Sequence, residues 1–166
     1  MKKIIFVLYL IFGVNLLADW SADMLKAYNN AEYKKVKEIM LKACDDNIMA
    51  ACSELALMYQ GGKIEAIVKQ DKVKAKELYS KVCDSGNIDA CYKLGFMYHY
   101  GDGIKKDRVK AKELYTKACD NRNFNACYDL GVMYKKGDGI EQDIEKAKEL
   151  LGFLCKGGIE KACSAL

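Results

Sequence analysis

There is no proline among the 166 residues. Proline breaks helix interiors, so a chain without it is free to be built almost entirely of helices. Histidine occurs once, as His99, and no two cysteines are spaced C-x-x-C. A zinc centre of histidine and cysteine therefore finds no ligand set, and the sequence calls for no metal or other cofactor. No block of like charges stands out and the formal charge is only +4. That argues against a nucleic-acid partner and against a polybasic membrane patch. The longest apolar run, Ile4 to Leu17, falls short of the roughly 20 residues of a membrane span. What is present is a globular composition, 51% apolar and 30% charged, with eight cysteines.

The apolar run follows Met1-Lys2-Lys3, is interrupted by Gly13 and Asn15, and ends beside the small residue Ala18. In form, residues 1–18 are a secretory signal peptide. Leu16 is a poor residue at the third position before the cut, and a retained N-terminal anchor is the alternative reading. Cleavage after Ala18 removes Lys2 and Lys3 and lowers the formal charge from +4 to +2. No cysteine follows the cut, so no lipid-anchored start and no stable membrane anchor is expected afterwards. All eight cysteines stay, and an even number in an exported chain points to disulfides in a secreted or periplasmic protein.

The chain repeats itself. "ACYKLGFMYHYGDG" starts at Ala90 and "ACYDLGVMYKKGDG" at Ala126. The cysteines follow the same beat: Cys44 and Cys52, Cys83 and Cys91, Cys119 and Cys127, and Cys155 and Cys163 are each eight apart. Cys83, Cys119 and Cys155 recur every 36 residues, whereas Cys44 to Cys83 is 39, with three extra residues near Glu65, Ala66 and Ile67. A fixed period of this size signals a solenoid, here an all-α, α/α repeat array. The expected units are a degenerate N-terminal cap over 19–47, repeats over 48–86, 87–122 and 123–158, and a partial last helix over 159–166.

Each unit holds two helical patterns. In the first, Ala90, Leu94, Met97 and Tyr98 match Ala126, Leu130, Met133 and Tyr134 at helical spacing. Gly95 and Gly131 sit mid-helix, where glycine costs about 1 kcal/mol against alanine, so close helix contact is expected there. Ala56 fills the place in the other copy. In the second helix Asp71, Asp107 and Asp143 read as N-caps, followed by lysine at N3. Val73, Leu78 and Val82 read as its apolar stripe, with Ala75 beside it. Between the helices "GDGI", at Gly101 and Gly137, reads as a turn and not a calcium loop, because no glutamate follows at the required offset.

Each eight-residue step links the end of a second helix to the start of the next first helix. The third residue after the leading cysteine is Asn47, Gly86, Arg122 or Gly158; asparagine and glycine tolerate a left-handed helix end, and Arg122 is the exception. The repetition selects four local disulfides, each stapling two successive antiparallel helices and contributing roughly 2–3 kcal/mol through the restricted unfolded chain.

The pattern A-x-x-x-L-G-x-x-Y-x-x-G-x-G followed by D-x-x-K-A, at Ala90 to Gly103 and Ala126 to Gly139, resembles the Sel1-like repeat, a relative of the tetratricopeptide repeat. With its paired cysteines the chain resembles the Helicobacter cysteine-rich protein family, whose secreted members carry one disulfide per helix pair. Departures are Ala56 for glycine, the altered Gly61-Gly62-Lys63 turn, and Leu151 where Tyr79 and Tyr115 stand in other copies. The resemblance implies a superhelix with first helices lining its concave side. It also implies either an interaction scaffold or penicillin binding and slow β-lactamase action on 6-aminopenicillanic and 7-aminocephalosporanic acid derivatives.

The residues themselves carry no hydrolase signature. None of the five serines is followed by lysine three residues later, and K-T-G is absent; catalytic residues stay unassigned. A binding face has more support. Tyr92, Phe96 and His99 lie at steps of four and three, off the Leu94/Tyr98 stripe. They match Ser53, Leu57 and Gln60 in one copy and Tyr128, Val132 and Lys135 in another. These positions vary while the packing positions stay, as expected of a groove for an extended peptide, a peptidoglycan-like fragment or a partner protein; packing of Phe96 and Val132 between repeats is the competing reading.

Overall fold

The computed structural model describes residues 20–61 and 68–166. The stretch read as a signal peptide, Asp19, the extra residues Glu65, Ala66 and Ile67, and Gly62 and Lys63 of the altered turn lie outside the described residues. Every regular element among the described residues is helical: α1 (20–29), α2 (Tyr33–Asp45), α3 (Met49–Gln60), α4 (Lys72–Asp84), α5 (Ile88–Tyr100), α6 (Arg108–Asp120), α7 (Phe124–Lys136), α8 (Ile144–Lys156) and α9 (Glu160–Cys163). They fall into two compact units, one ending at Asp71 and the other running from Lys72 to Leu166.

In the first unit Ala31 turns the chain at φ +57°, and α2 packs on α3. α2 buries Val36, Met40 and Ala43, and α3 buries Ala51, Leu55, Ala56 and Tyr59. Cys44 and Cys52 join the end of one to the start of the other.

In the second unit each helix packs on the next, from α4 through α9. The three disulfides here, Cys83–Cys91, Cys119–Cys127 and Cys155–Cys163, fall at the predicted joints, with Cα atoms 4.6–4.7 Å apart. Ala90, Ala126 and Ala162 beside the second cysteines are buried, which lets the helix starts approach the preceding helix ends. Asp107 and Asp143 cap α6 and α8, each accepting from the amide three residues on at 3.0 Å. Asn87 and Asn123, to which the sequence pattern assigned no role, cap α5 and α7 in the same way.

The expected stripe on the second helices needs one correction. Val73 is 53% exposed, and α4 buries Ala75, Tyr79 and Val82. The large buried side chain one position on, Tyr79, takes the centre of the face in place of Leu78. In the next copy the ring of Tyr115 lies against Gly95 so closely that a Cβ there would stand 2.8 Å from it, and Leu151 does the same to Gly131 at 2.9 Å.

The "GDG" turns close on left-handed glycines, Gly101 and Gly103 at φ +71° and +74°, and Gly137 and Gly139 at +65° and +76°. Their aspartates bind the first residue of the preceding second helix: Lys72 Nζ lies 2.5 Å from Asp102, and Arg108 Nε 2.6 Å from Asp138. The stems of Lys72 and Arg108 lie against Gly103 and Gly139, leaving no room for a β-carbon. One motif thus ends a helix and ties neighbouring repeats.

Candidate functional site

Tyr92, Phe96 and His99 emerge along one side of α5, and the fold adds Tyr100 from the same helix, Tyr115 from α6 and Asp129 from α7. The Tyr92 hydroxyl donates to Asp129 Oδ2 at 3.0 Å, and its ring centroid is 5.7 Å from that of Tyr115. Burial, the nearby Asp129 charge and the bond to that carboxylate all raise the Tyr92 pKa. Tyr115, fully buried, is raised by burial and then by the Asp129 charge. These phenols keep their protons, which makes them donors and contact surfaces instead of nucleophiles.

Asp129 is raised above its ordinary value, chiefly by burial; the Tyr92 bond and the charge of Lys161 offset part of this. His99 is lowered, again chiefly by burial, against the opposing pull of Asp138. The imidazole is therefore neutral at neutral pH and, with Nε2 3.3 Å from Asp138 Oδ2, is assigned its Nε2–H tautomer. His99 Nδ1 and the Tyr115 hydroxyl are both buried without a hydrogen-bond partner. Above them Tyr100, 56% exposed, lies 4.5 Å from the His99 ring and 4.4 Å from Phe96 between centroids.

The corresponding row on α7 is spent differently. Val132 and Tyr128 pack on Leu151, Leu154 and Ala162, with Lys161 Nζ 4.4 Å above the Tyr128 ring. Lys135 donates to the carbonyls of Ala165 and Leu166 at 2.7 and 3.1 Å. In the first unit Ser53 is half-buried and Leu57 is 40% exposed. Sequence reasoning missed Tyr100, Tyr115 and Asp129. Asp129 had a usable signal, since its counterparts in the other copies are Lys93 and Glu54, a variation like that of the chosen row.

Two other features bear on chemistry. The Ser85 and Ser164 hydroxyls donate to carbonyls of Val82 and Glu160, and among the described residues no three His, Cys, Asp or Glu side chains are placed to share a metal ion. A separate cleft of about 500 Å³, sharing no residue with the row, has Phe124 and Phe153 on its walls beside Arg122, Glu149 and the Cys119–Cys127 bridge.

The Sel1 repeat model matches residues 50–87, 88–123 and 125–158. The chain belongs to the Sel1 repeat family. Its likeness to Helicobacter pylori cysteine rich protein B is 30% identity over 81% of this chain and 95% of that one, with a TM-score of 0.58. The uropathogenic Escherichia coli protective antigen c5321, described as displaying an SLR fold, matches at 27% identity and TM-score 0.75 over 86% of this chain and 32% of its own. A Sel1 repeat protein from Oxalobacter formigenes matches at 22% identity and TM-score 0.69 over 87% of this chain, and shows the fold alone. The chain spans 56% of the length of that Oxalobacter structure. No curated protein matches the chain. The disulfide-stapled α/α repeat fold is therefore that of a Sel1 repeat protein. Its four disulfides suit an oxidising environment, and no helix among the described residues is long and apolar enough to cross a membrane.

Proposed function

We propose that this Sel1 repeat protein is an exported binding module that receives an extended polypeptide along the first helices of its second unit, α5 and α7. One observation carries the reading. On α5, aromatic side chains stay at the surface, Phe96 at 37% and Tyr100 at 56% exposure, above polar groups that are already positioned. Exposed aromatics over a rigid helix supply contact area at small entropic cost. Buried Ala90, Leu94 and Met97 recur as Ala126, Leu130 and Met133, while the row varies, which is how a repeat scaffold separates folding from recognition.

Panning a random peptide library on the oxidised protein tests this. The expected result is an enriched consensus that a Phe96→Ala, Tyr100→Ala variant no longer captures. Undiminished capture by that variant, once circular dichroism has shown it folded, rules the row out as the binding surface.

A further inference from the structure

Asp102, Asp107, Asp138 and Asp143 each have a basic partner: Lys72, Lys110, Arg108 and Lys146. Asp129 is different. Among the described residues no cation lies within ion-pair distance of it, and its one hydrogen-bond partner is Tyr92. Lys161, the basic group whose charge it feels, is held over the Tyr128 ring and donates to Asn125 at 3.1 Å. The His99 imidazole is neutral and turned towards Asp138. Asp129 is half-buried, and an ionised carboxylate partly withdrawn from water without a counter-charge is costly.

Its surroundings are aromatic. Tyr92, Tyr115, His99, Tyr100 and Phe96 form an unbroken chain of ring contacts with centroids 4.4–6.0 Å apart. The unspent polar atoms beneath this rim, His99 Nδ1 and the Tyr115 oxygen, can both accept. Acceptors in excess, an unneutralised carboxylate and electron-rich ring faces describe one kind of guest. Resting on the peptide-binding reading above, we infer that Asp129, set among Tyr92, Tyr100 and His99, seats a cationic side chain of the bound polypeptide, a lysine ammonium or an arginine guanidinium. The cation supplies the missing charge and its N–H groups fill the free lone pairs of the carboxylate. A neutral side chain leaves the carboxylate short of partners, and an acidic one meets like charge.

The oxidised full chain, labelled with ¹⁵N, is titrated to millimolar concentration with acetylated, amidated pentapeptides Ala-Ala-X-Ala-Ala, where X is lysine, arginine, norleucine or glutamate. The lysine or arginine peptide is expected to bind about tenfold tighter than the norleucine peptide, shifting the amides of Tyr92, Phe96, Tyr100 and Asp129. Asp129→Asn, nearly the same shape, abolishes the preference, and Tyr100→Ala weakens it. Equal binding of lysine and norleucine, a lysine preference that survives Asp129→Asn, or no shift with any peptide overturns the inference. The peptide-binding reading is judged separately by the panned consensus, so an uncharged consensus that still needs Phe96 and Tyr100 sinks the cation seat alone.

Discussion

The ionised Asp129 should lower the stability of the fold. Its folded pKa is raised, so the folded chain holds a proton more tightly than the unfolded one, and stability is lost as pH rises through the folded value. Asp129→Asn keeps an oxygen for the Tyr92 hydroxyl and removes the charge. The variant should therefore be more stable than the parent at pH 7, and the advantage should vanish below the ordinary aspartate value of 3.8, where both states are protonated. Thermal unfolding at a series of pH values decides it; an advantage independent of pH would contradict the burial argument. Arg122 shows a different local tension. It takes φ +65°, as Asn47, Gly86 and Gly158 take +62°, +95° and +85°, so the turn geometry prevails over a preference worth about 1–2 kcal/mol per residue.

Helix pairs are set by two glycines whose lack of a side chain is used for approach. Gly95→Ala gains about 1 kcal/mol of helix propensity but forces a methyl into the buried Tyr115 ring, and overpacking costs about 1–3 kcal/mol. Because that ring is flat, rigid and fully buried, the net effect should be a loss of about 1–2 kcal/mol in urea unfolding. Gly152, inside α8, has nothing within 4 Å of the place a β-carbon would take; Gly152→Ala should stabilise by roughly 0.5–1 kcal/mol. Opposite signs at two mid-helix glycines would separate packing from propensity. The exposed Val73 teaches the same lesson: periodicity marks an apolar face to within a residue or so, and the neighbouring helix chooses its centre.

Across the molecule, stability comes from neighbour contacts and local staples, since a repeat buries its apolar face only against the next one. Replacing both Cys119 and Cys127 by serine should lower the stability of the unit from Lys72 to Leu166 by roughly 2–3 kcal/mol, read from urea unfolding. A loss no larger than the uncertainty of the midpoint would mean that packing alone fixes that joint. The 36-residue beat recurs in the Lys72–Asp102 and Arg108–Asp138 pairs, and further polar ties join copies at Asp89 to Asn123 and Asn125 to Lys161.

Helix content, the repeat period and the four cysteine pairings were legible in the residues alone, because each depends on short-range spacing: helical periodicity, a left-handed turn and eight residues between thiols. Half of the candidate site was legible too, as Tyr92, Phe96 and His99 share one helix face. Asp129, Tyr115 and the engagement of Val132 and Lys135 with residues 159–166 were not. They depend on which side chains of different helices are brought within a few ångströms, and a carboxylate's burial and missing counter-charge exist only once α5, α6 and α7 are packed together.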